Sequence, residues 1–397
     1  MPIIQKEGKV KPIKYLLLAA LLGLGGAMPA LGAGVSDREI VLGTHLDLSG
    51  PTAAGMPQLR NGMQMRLDEA NDAGGVNGRK LRIVVEDNGS QPQLAVRAVD
   101  KLIRQDEVFA IVNSFGSGPN AATAKRAVDA GVMVFAPWGA SSIIRKSAGD
   151  SPLLFTLVPN YDSVMAVGTK WMLDNFAPKK IGYIYQEGPL GALMGEGVKR
   201  ALTAKGMTLA AEAGYKVGDI DFSSQVARMK AADTDVVIIA TVLRETVGIM
   251  SEVKKIGWSN VKVVTGVPGR TGVVLATGKD AVDGLYGVGA WKLLTPDNSP
   301  PAVKTWFAAY KKRFNIDADE NALLAYTYTD IFLKGVQAAG RDLTADKLVK
   351  ALQAGSFESP LFYAPQAFKA NHLDPEYAEI DQIKGGAWVA VGKPAKD

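Results

Sequence analysis

The chain has 397 residues, of which 47% are hydrophobic and 21% are charged, a balance typical of globular proteins that excludes a disordered or fibrous chain. This length favours two domains over a single hydrophobic core. The formal net charge is +5, and most of it lies before position 15, so the remainder of the chain is too weakly basic to favour nucleic-acid binding.

The first 33 residues have the pattern of a secretory signal peptide. Four lysines precede the apolar run YLLLAALLGLGGA (15–27), and small residues follow it as far as Ala33. The run is short for a membrane-spanning helix, so we expect cleavage near Ala33, with an uncleaved anchor as the alternative. The chain has no cysteine, which excludes a lipidated cysteine, a disulfide framework and a thiolate metal site. We therefore expect a soluble protein in the periplasm.

From residue 39 onward, apolar runs and amphipathic stretches alternate along the chain. They predict strands over 39–48, 80–86, 108–112, 132–136 and 153–158, with helices over 57–73, from Pro92 and after the turn at 114–118. The pattern then repeats, with helices over 162–176, 189–205, 222–232 and 245–257 and strands over 180–185, 207–215, 235–240 and 261–265. Such alternation indicates parallel sheets covered by helices on both faces. The predicted fold class is α/β, with two doubly wound lobes.

The last hundred residues have a different character. Three successive helices are predicted over 300–314, 321–340 and 344–354, followed by short strands near 361–363, 379–383 and 387–391. Because the helices have no strands between them, we expect them to return and complete the first lobe.

Two small-residue turns in the stretch 108–142 suggest a binding site. Each turn follows one of two neighbouring strands, so both lie at the carboxyl edge of a parallel sheet, where helix starts offer backbone amides. A carboxylate fits such a place, and the expected donors are Ser117, Ser141, Ser142 and the amides of Gly139 and Ala140. Phe115 and Trp138 lie in the same turns and would supply aromatic walls. Gly/Ser turns are also ordinary connections in α/β proteins, and that alternative stays open.

The usual signatures of enzymes and metal sites are missing from the sequence. The chain has only two histidines, His45 and His372, which excludes a metal centre built on a pair of neighbouring histidines. The segment GVVLATGKD (272–280) has the wrong glycine spacing and the wrong final residue for a phosphate-binding loop. Neither a nucleophile elbow nor a dinucleotide fingerprint follows any mature strand. We therefore predict a binding protein with no cofactor and no catalytic residues.

Four segments give the mature chain a family resemblance. They are IVLGTHLDLSGPTAAG, NDAGGVNGRKLRIVVEDNGSQPQLAVRAVDKLI, the two turns described above and KKIGYIYQEGPLGALMGEGVKRAL. Together they resemble the periplasmic solute-binding proteins of branched-chain amino-acid ABC transporters, the Leu/Ile/Val-binding type. The resemblance covers essentially all of the mature chain.

The resemblance implies a type I periplasmic binding fold, in which two lobes joined by a three-stranded hinge close over a ligand. It places the crossings near Pro159, Ala290 and Pro360, so that residues 36–158 and 292–359 form the N-terminal lobe and residues 159–291 and 360–397 the C-terminal lobe. It also implies a monomer that delivers its solute to an inner-membrane ABC permease. A periplasmic sensor that signals to a membrane receptor is an alternative within the same fold.

The resemblance also implies positions for the ligand contacts. The family's α-carboxylate donors fall at Ser117 and at Gly139, Ala140 and Ser141, an aromatic residue of the family falls at Gly55, and its second-lobe tyrosines fall at Leu190 and at Val242 or Leu243. The family's acidic partner for an α-ammonium group should lie within TGVPGR (265–270), which contains no acid.

The missing acid sets the expected ligand class. Burying an ammonium group without a carboxylate partner is costly, so we predict a hydrophobic carboxylate, and in particular an aromatic acid such as a benzoate, a phenylpropenoate or a related keto acid. Arg270, and also Arg244, offer cations that would reach a ligand anion or else face solvent. Tyr161 would hydrogen-bond a ring hydroxyl or else pack at the hinge. A branched-chain amino acid remains the alternative ligand.

Overall fold

The computed structural model describes residues 1–2, 33–139 and 141–397. Residues 3–32 of the expected signal peptide, and Ala140 of the expected ligand site, lie outside the described residues. Within the described part of the chain, no helix is both long enough and apolar enough to cross a membrane.

The first lobe is built on a parallel sheet of five strands with the order β2-β1-β3-β4-β5. The strands are β1 (Glu39–Leu46), β2 (Lys80–Asp87), β3 (Ala110–Val112), β4 (Met133–Phe135) and β5 (Leu154–Phe155). The helices between them are α1 (Met56–Asp72), α2 (Pro92–Arg104), α3 (Ser117–Asp129) and α4 (Ser141–Ala148). Strand β3 is wholly buried, as expected for a strand with helices on both sheet faces.

The second lobe is built on a seven-stranded sheet with the order β15-β14-β10-β9-β8-β6-β7. Its strands are β6 (Ile181–Gln186), β7 (Ala211–Tyr215), β8 (Val236–Ala240), β9 (Lys262–Thr265), β10 (Tyr286–Gly289), β14 (Glu379–Lys384) and β15 (Ala387–Ala390). Its helices are α5 (Tyr161–Phe176), α6 (Pro189–Thr203), α7 (Ser223–Ala231), α8 (Leu243–Lys255) and α9 (Gly272–Gly278). Strands β6 to β10 are parallel, and β14 and β15 extend the sheet antiparallel. The α/β class with two parallel-sheet lobes is the one that the sequence predicts.

Three late helices pack on the first lobe. They are α10 (Pro301–Phe314), α11 (Glu320–Ala339) and α12 (Ala345–Ala354). Arg66 of α1 pairs with Asp330 of α11 at 2.8 Å, and the Tyr326 hydroxyl donates to the Glu69 carboxylate at 2.6 Å. The chain thus returns from the second lobe to cover α1, as the run of uninterrupted helices suggests.

The third crossing between the lobes lies further along the chain than expected. Residues beyond Pro360 form β12 (Gln366–Lys369) and β13 (His372–Asp374), which pair with β11 (Ser356–Phe357) in a small antiparallel sheet. This sheet stays with the first lobe, because His372 bridges Thr156 and the Phe368 ring lies 4.9 Å from that of Phe155. The crossing therefore occurs after Asp374, and placing it near Pro360 is wrong. The predicted strand at 361–363 is an irregular buried segment instead.

Two helices and four strands are absent from the sequence-based prediction, the strands being β10 and the three short strands β11, β12 and β13. Helix α4 has only eight residues, with Ile144 and Ala148 as its apolar stripe, which is too short for periodicity to reveal. Helix α9 contains two glycines and two β-branched valines, which have low helix propensity, and Thr271 caps it by accepting from the Val274 amide. Strand β10 has the sequence YGVG, whose glycines obscure the strand signal.

Candidate ligand-binding cleft

A cavity of about 250 Å³ lies between the two lobes. Most of its lining comes from turns that follow strands and from the first turns of helices, as expected for doubly wound sheets facing each other. The lining is largely apolar and aromatic; its residues are Pro51, Thr52, Gly55, Met56, Leu59, Ser90, Pro92, Phe115, Gly116, Ser117, Gly118, Pro119, Trp138, Gly139, Val158, Tyr161, Gln186, Glu187, Pro189, Leu190, Val217, Val242, Leu243, Val267, Pro268, Thr271, Trp291 and Asn321.

The two small-residue turns of the first lobe lie side by side on the cavity wall. The Gly116 amide donates to the Trp138 carbonyl at 2.9 Å, and Asn120 donates to the same carbonyl at 2.9 Å. Gly139 has a φ of 148° and lies so close to Ser117 that an added Cβ would approach its Cα to 2.8 Å. Only glycine permits this approach, which brings the second turn onto the start of α3.

The start of α3 provides a place for an anion. Gly116 precedes the helix with a φ of 106°, and no side chain caps this helix end. The first-turn amides therefore depend on a carbonyl, a ligand or solvent for their partners. Phe115 and Trp138 flank this helix start, and the Trp138 indole N–H donates to the Asn113 side chain at 3.0 Å. That bond fixes the Trp138 ring as part of the wall.

Most of the residues predicted from sequence to contact the ligand do line this cavity. From the first lobe these are Phe115, Ser117, Trp138 and Gly139, and from the hinge and second lobe they are Tyr161, Leu190 and Leu243. Ala140 lies outside the described residues, so its predicted amide contact stays a prediction.

The structure does not place Ser141 at the cavity. Ser141 is fully buried, and its hydroxyl donates to the Val158 carbonyl at the first crossing. Ser142 does not line the cavity either. The physical reason is that α4 begins at Ser141, which turns both side chains away from the cleft. We therefore correct the prediction that Ser141 contacts the ligand.

Arg270 is also misplaced in the sequence-based prediction. Its side chain is 0% exposed, so it reaches neither the cleft nor solvent. The guanidinium group bonds to the Asp381 carboxylate through Nε and to the Trp291 carbonyl through Nη1 at 3.2 Å, and Glu379 lies 4.0 Å from Nη2. The carboxylates of these two β14 residues thus hold the Arg270 side chain outside the cavity lining. Arg244 lies on the surface and pairs with Glu245 at 2.8 Å.

Among the described residues that line the cavity, Glu187 is the only one with a charged side chain. Glu187 is exposed, and its carboxylate lies beside Gly214 of β7, where an added Cβ would be 3.0 Å from the Glu187 Oε1 atom. Behind the first-lobe wall, the buried Asp47 carboxylate accepts from the Gly50 and Thr52 amides at 2.6 and 2.8 Å and from Ser90 at 2.7 Å. Asp47 is therefore satisfied by the protein itself. No lining side chain in the described residues is a cation, so an anionic ligand depends on neutral donors.

Tyr161 begins α5, directly after the first crossing, and lines the cavity. Its hydroxyl has no hydrogen-bond partner among the described residues. Burial raises the pKa of Tyr161 above its ordinary value, so the hydroxyl stays protonated at any physiological pH. The cavity therefore presents a neutral group that can both donate and accept.

Sequence reasoning missed several lining residues with polar side chains, and Trp291, Thr271 and Asn321 are three of them. Trp291 directly follows the predicted second crossing at Ala290, and a tryptophan at that point is a signal that could have been used. Asn321 and Thr271 have no such signal, because they reach the cavity through the packing of α11 and α9 across the cleft. No group of three or more His, Cys, Asp or Glu side chains in the described part of the chain is placed to hold a metal ion.

Comparison with known proteins shows the family to which this chain belongs. The family model described as "periplasmic binding protein" matches residues 39–384. The chain belongs to this family. The Leu/Ile/Val-binding protein BraC3 of Rhizobium johnstonii is 26% identical over 323 residues, covering 81% of this chain and 86% of BraC3.

Solved structures of similar fold belong to the same class of periplasmic binding protein. A solute-binding protein of an ABC transporter from R. palustris, in complex with benzoate, has a TM-score of 0.81 at 20% identity and covers 90% of this chain and 98% of its own. A fatty acid ABC transporter substrate-binding protein from Thermomonospora curvata has a TM-score of 0.80 at 24% identity, with coverages of 92% and 95%. At these identities the likeness establishes the fold.

The chain is a solute-binding protein of the branched-chain amino-acid ABC transporter type, and this family consists of substrate-binding proteins. Proteins of this family bind small molecules in the periplasm and work with membrane permeases. The cavity between the lobes is the place where such a protein holds its solute.

Proposed function

We propose that this periplasmic binding protein captures a hydrophobic, aromatic carboxylate between its lobes and delivers it to an inner-membrane ABC permease. The observation that carries the proposal is the cavity lining, which combines the start of a helix with apolar and aromatic walls and, among the described residues, contains no cation. We further propose that the protein is exported by a cleavable signal peptide and acts as a monomer.

The carboxylate end of the ligand is assigned to the start of α3. Helix N-termini stabilise anions through their unpaired amides and the helix dipole. Ser117 opens this helix and Gly139 packs against it, so hydroxyl and amide donors converge at one point. Charge-assisted hydrogen bonds from such neutral donors each contribute about 1.5–3 kcal/mol.

The apolar body of the ligand is assigned to the remaining walls. Phe115 and Trp138 flank the anion site, and Leu190, Leu243 and Val267 face them from the second lobe. Burying apolar ligand surface contributes about 25 cal/mol per Å², so these walls supply most of the affinity. The solved relatives named for benzoate and fatty acid are consistent with a hydrophobic acid.

An α-amino acid is a poorer match to this lining. The segment 265–270 contributes Val267 and Pro268 to the cavity and has no acid. The one lining carboxylate, Glu187, is exposed at the rim over Gly214 rather than buried against the second-lobe wall. An ammonium group held in the cavity without a close carboxylate would pay a desolvation cost of several kcal/mol.

A branched-chain amino acid is the second candidate ligand, and it is favoured by the relative in R. johnstonii that is named for leucine, isoleucine and valine. Ligand screening separates the two candidates. We expect benzoate and cinnamate to raise the melting temperature, since a ligand at 100 times its Kd adds about 2.7 kcal/mol of apparent stability. Isoleucine should leave the melting temperature unchanged at the same concentration. Stabilisation by isoleucine without stabilisation by either aromatic acid would show that the proposed ligand class is wrong.

A further inference from the structure

Trp291 lines the ligand cavity and carries a buried hydrogen-bond donor that has no partner in the described part of the chain. The residue is 3% exposed, and the donor is its indole N–H. Several other buried side chains in the described part of the chain also have an unpartnered polar atom, but Trp291 is the one among them that lines this cavity. A buried donor without an acceptor is costly, so the site calls for an acceptor from the ligand.

Trp291 marks the hinge end of the cavity. It also borders a second, small cavity of about 30 Å³, together with Pro159, Tyr363 and Pro375 of the crossing segments. Tyr161 directly follows the first crossing at 158–160 and also lines the ligand cavity, and its hydroxyl has no partner among the described residues. Two polar groups of the hinge region therefore border the cavity without a protein partner.

The backbone of Trp291 is firmly held. Arg270 donates to the Trp291 carbonyl at 3.2 Å and is itself bound to the buried Asp381 carboxylate of β14. An added Cβ at Gly289, two residues before Trp291, would lie 1.8 Å from the Arg270 Nη1 atom. Arg270 is thus a positioning residue that fixes the point where the second crossing enters the cleft.

We propose that Trp291 and Tyr161 form a second polar subsite, at the hinge end of the cavity, which takes an oxygen substituent on the body of the ligand. An indole N–H only donates, so the ligand atom at Trp291 is an acceptor, such as a phenolic, methoxy or keto oxygen. The Tyr161 hydroxyl can donate to the same oxygen or accept from its proton. The inference rests on the proposed function and specifies the ligand further, as an aromatic acid that carries oxygen at the end away from its carboxylate.

Isothermal titration calorimetry with two matched pairs of probes tests the subsite. The probes are benzoate with 4-hydroxybenzoate, and cinnamate with 4-hydroxycinnamate. We expect the wild-type protein to prefer the hydroxylated member of at least one pair by about tenfold or more, because sites built for a ligand hydroxyl reject the analogue that lacks it. Trp291→Phe keeps an aromatic ring without the N–H, and its preference should fall to about twofold or less. Tyr161→Phe provides a second variant if Trp291→Phe does not fold.

Trp306→Phe is the matched control. It removes another buried indole N–H that has no partner, in α10 and outside the cavity lining, so the wild-type preference should be retained. Equal binding of hydroxylated and unsubstituted acids by the wild type, or an unchanged preference in Trp291→Phe, overturns the subsite and leaves the proposed function standing. Failure of every aromatic acid to bind overturns both.

Discussion

The hydroxyl of Ser117 lies at the start of α3, where the proposed ligand carboxylate would meet the helix amides. Replacing Ser117 with alanine removes one donor to a charged acceptor and leaves the helix amides in place. We therefore expect Ser117→Ala to weaken the binding of an aromatic carboxylate by about tenfold, equivalent to about 1.4 kcal/mol. Titration calorimetry with benzoate or its hydroxylated analogue measures this change.

Ser141 provides the matched control for Ser117. Its buried hydroxyl donates to the Val158 carbonyl and does not reach the cavity. Ser141→Ala should cost about 1 kcal/mol of folding stability through the lost hydrogen bond, with the ligand affinity unchanged. If Ser141→Ala weakens binding and Ser117→Ala does not, the carboxylate lies at a different place from the one proposed.

Arg270 shows why charged residues are hard to assign from sequence. An arginine in a loop near a predicted cleft is usually exposed, and nothing in the segment 265–270 indicates that Asp381 and Glu379 will lie behind it. Those carboxylates come from β14, more than a hundred residues later, which joins the same sheet antiparallel to β10. By contrast, Phe115, Ser117 and Trp138 could be predicted because the strand that precedes each turn fixes the position of the turn at the sheet edge.

At the scale of elements, the close packing of α1 against α11 ties the late helices to the first lobe. A Cβ added at Gly62 would lie 2.1 Å from the Ala322 carbonyl oxygen. Because backbone atoms cannot move aside as a side chain can, Gly62→Ala should force the helices apart and cost about 1–3 kcal/mol of unfolding free energy. Chemical denaturation of the ligand-free protein measures this loss.

Arg60→Ala on the same helix is the control for Gly62→Ala. Arg60 is exposed, and surface substitutions of this kind usually change stability by less than about 0.5 kcal/mol. Equal stability of Gly62→Ala and the wild type would mean that α11 shifts freely on α1, contrary to the tight packing described here.

The predicted elements fail mainly where the sequence signal is short or is overridden by packing. Long amphipathic stretches such as α2 and α6 are recognisable, because several turns repeat the same apolar face. The strands β11, β12 and β13 have two to four residues each and depend on one another for their hydrogen bonds. No local pattern distinguishes them from the loops around them, so the sequence alone places the third crossing too early in the chain.

At the scale of the whole molecule, the two lobes touch each other at two places beside the cavity in this structure. The Gly272 amide at the start of α9, in the second lobe, donates to both carboxylate oxygens of Glu320 in α11 of the first lobe, at 2.8 and 3.0 Å. Gly55 of the first lobe lies against Leu243 of the second, and an added Cβ would come within 2.8 Å of its Cδ1 atom. The two lobes are therefore closed in this structure. Separating them would expose the Glu320 carboxyl group to solvent.

This contact links closure to pH. Burial, reinforced by the neighbouring Asp319, raises the pKa of Glu320 above its ordinary value of 4.5, although Arg270 and the Gly272 amide favour the charged form. Because the pKa of Glu320 is higher in the closed state, its protonation stabilises the closed state fully at pH values below 4.5. This stabilisation is lost as the pH rises from 4.5 through the raised pKa. We therefore expect ligand affinity to fall as the pH is raised from 5.5 to 8.5, by about tenfold for each pH unit between 5.5 and the raised pKa.

Titration calorimetry at several pH values, with benzoate or isoleucine according to which binds, measures this dependence. A carboxylic acid of ordinary pKa stays ionised throughout the interval, so the ligand's own titration does not contribute. In Glu320→Gln, where the side chain stays neutral and still presents an acceptor to Gly272, the affinity should vary less with pH and should exceed that of the wild type at pH 8.5. Glu358→Gln removes an exposed carboxylate and should keep the wild-type slope. A slope that Glu320→Gln leaves unchanged would assign the pH dependence to another group.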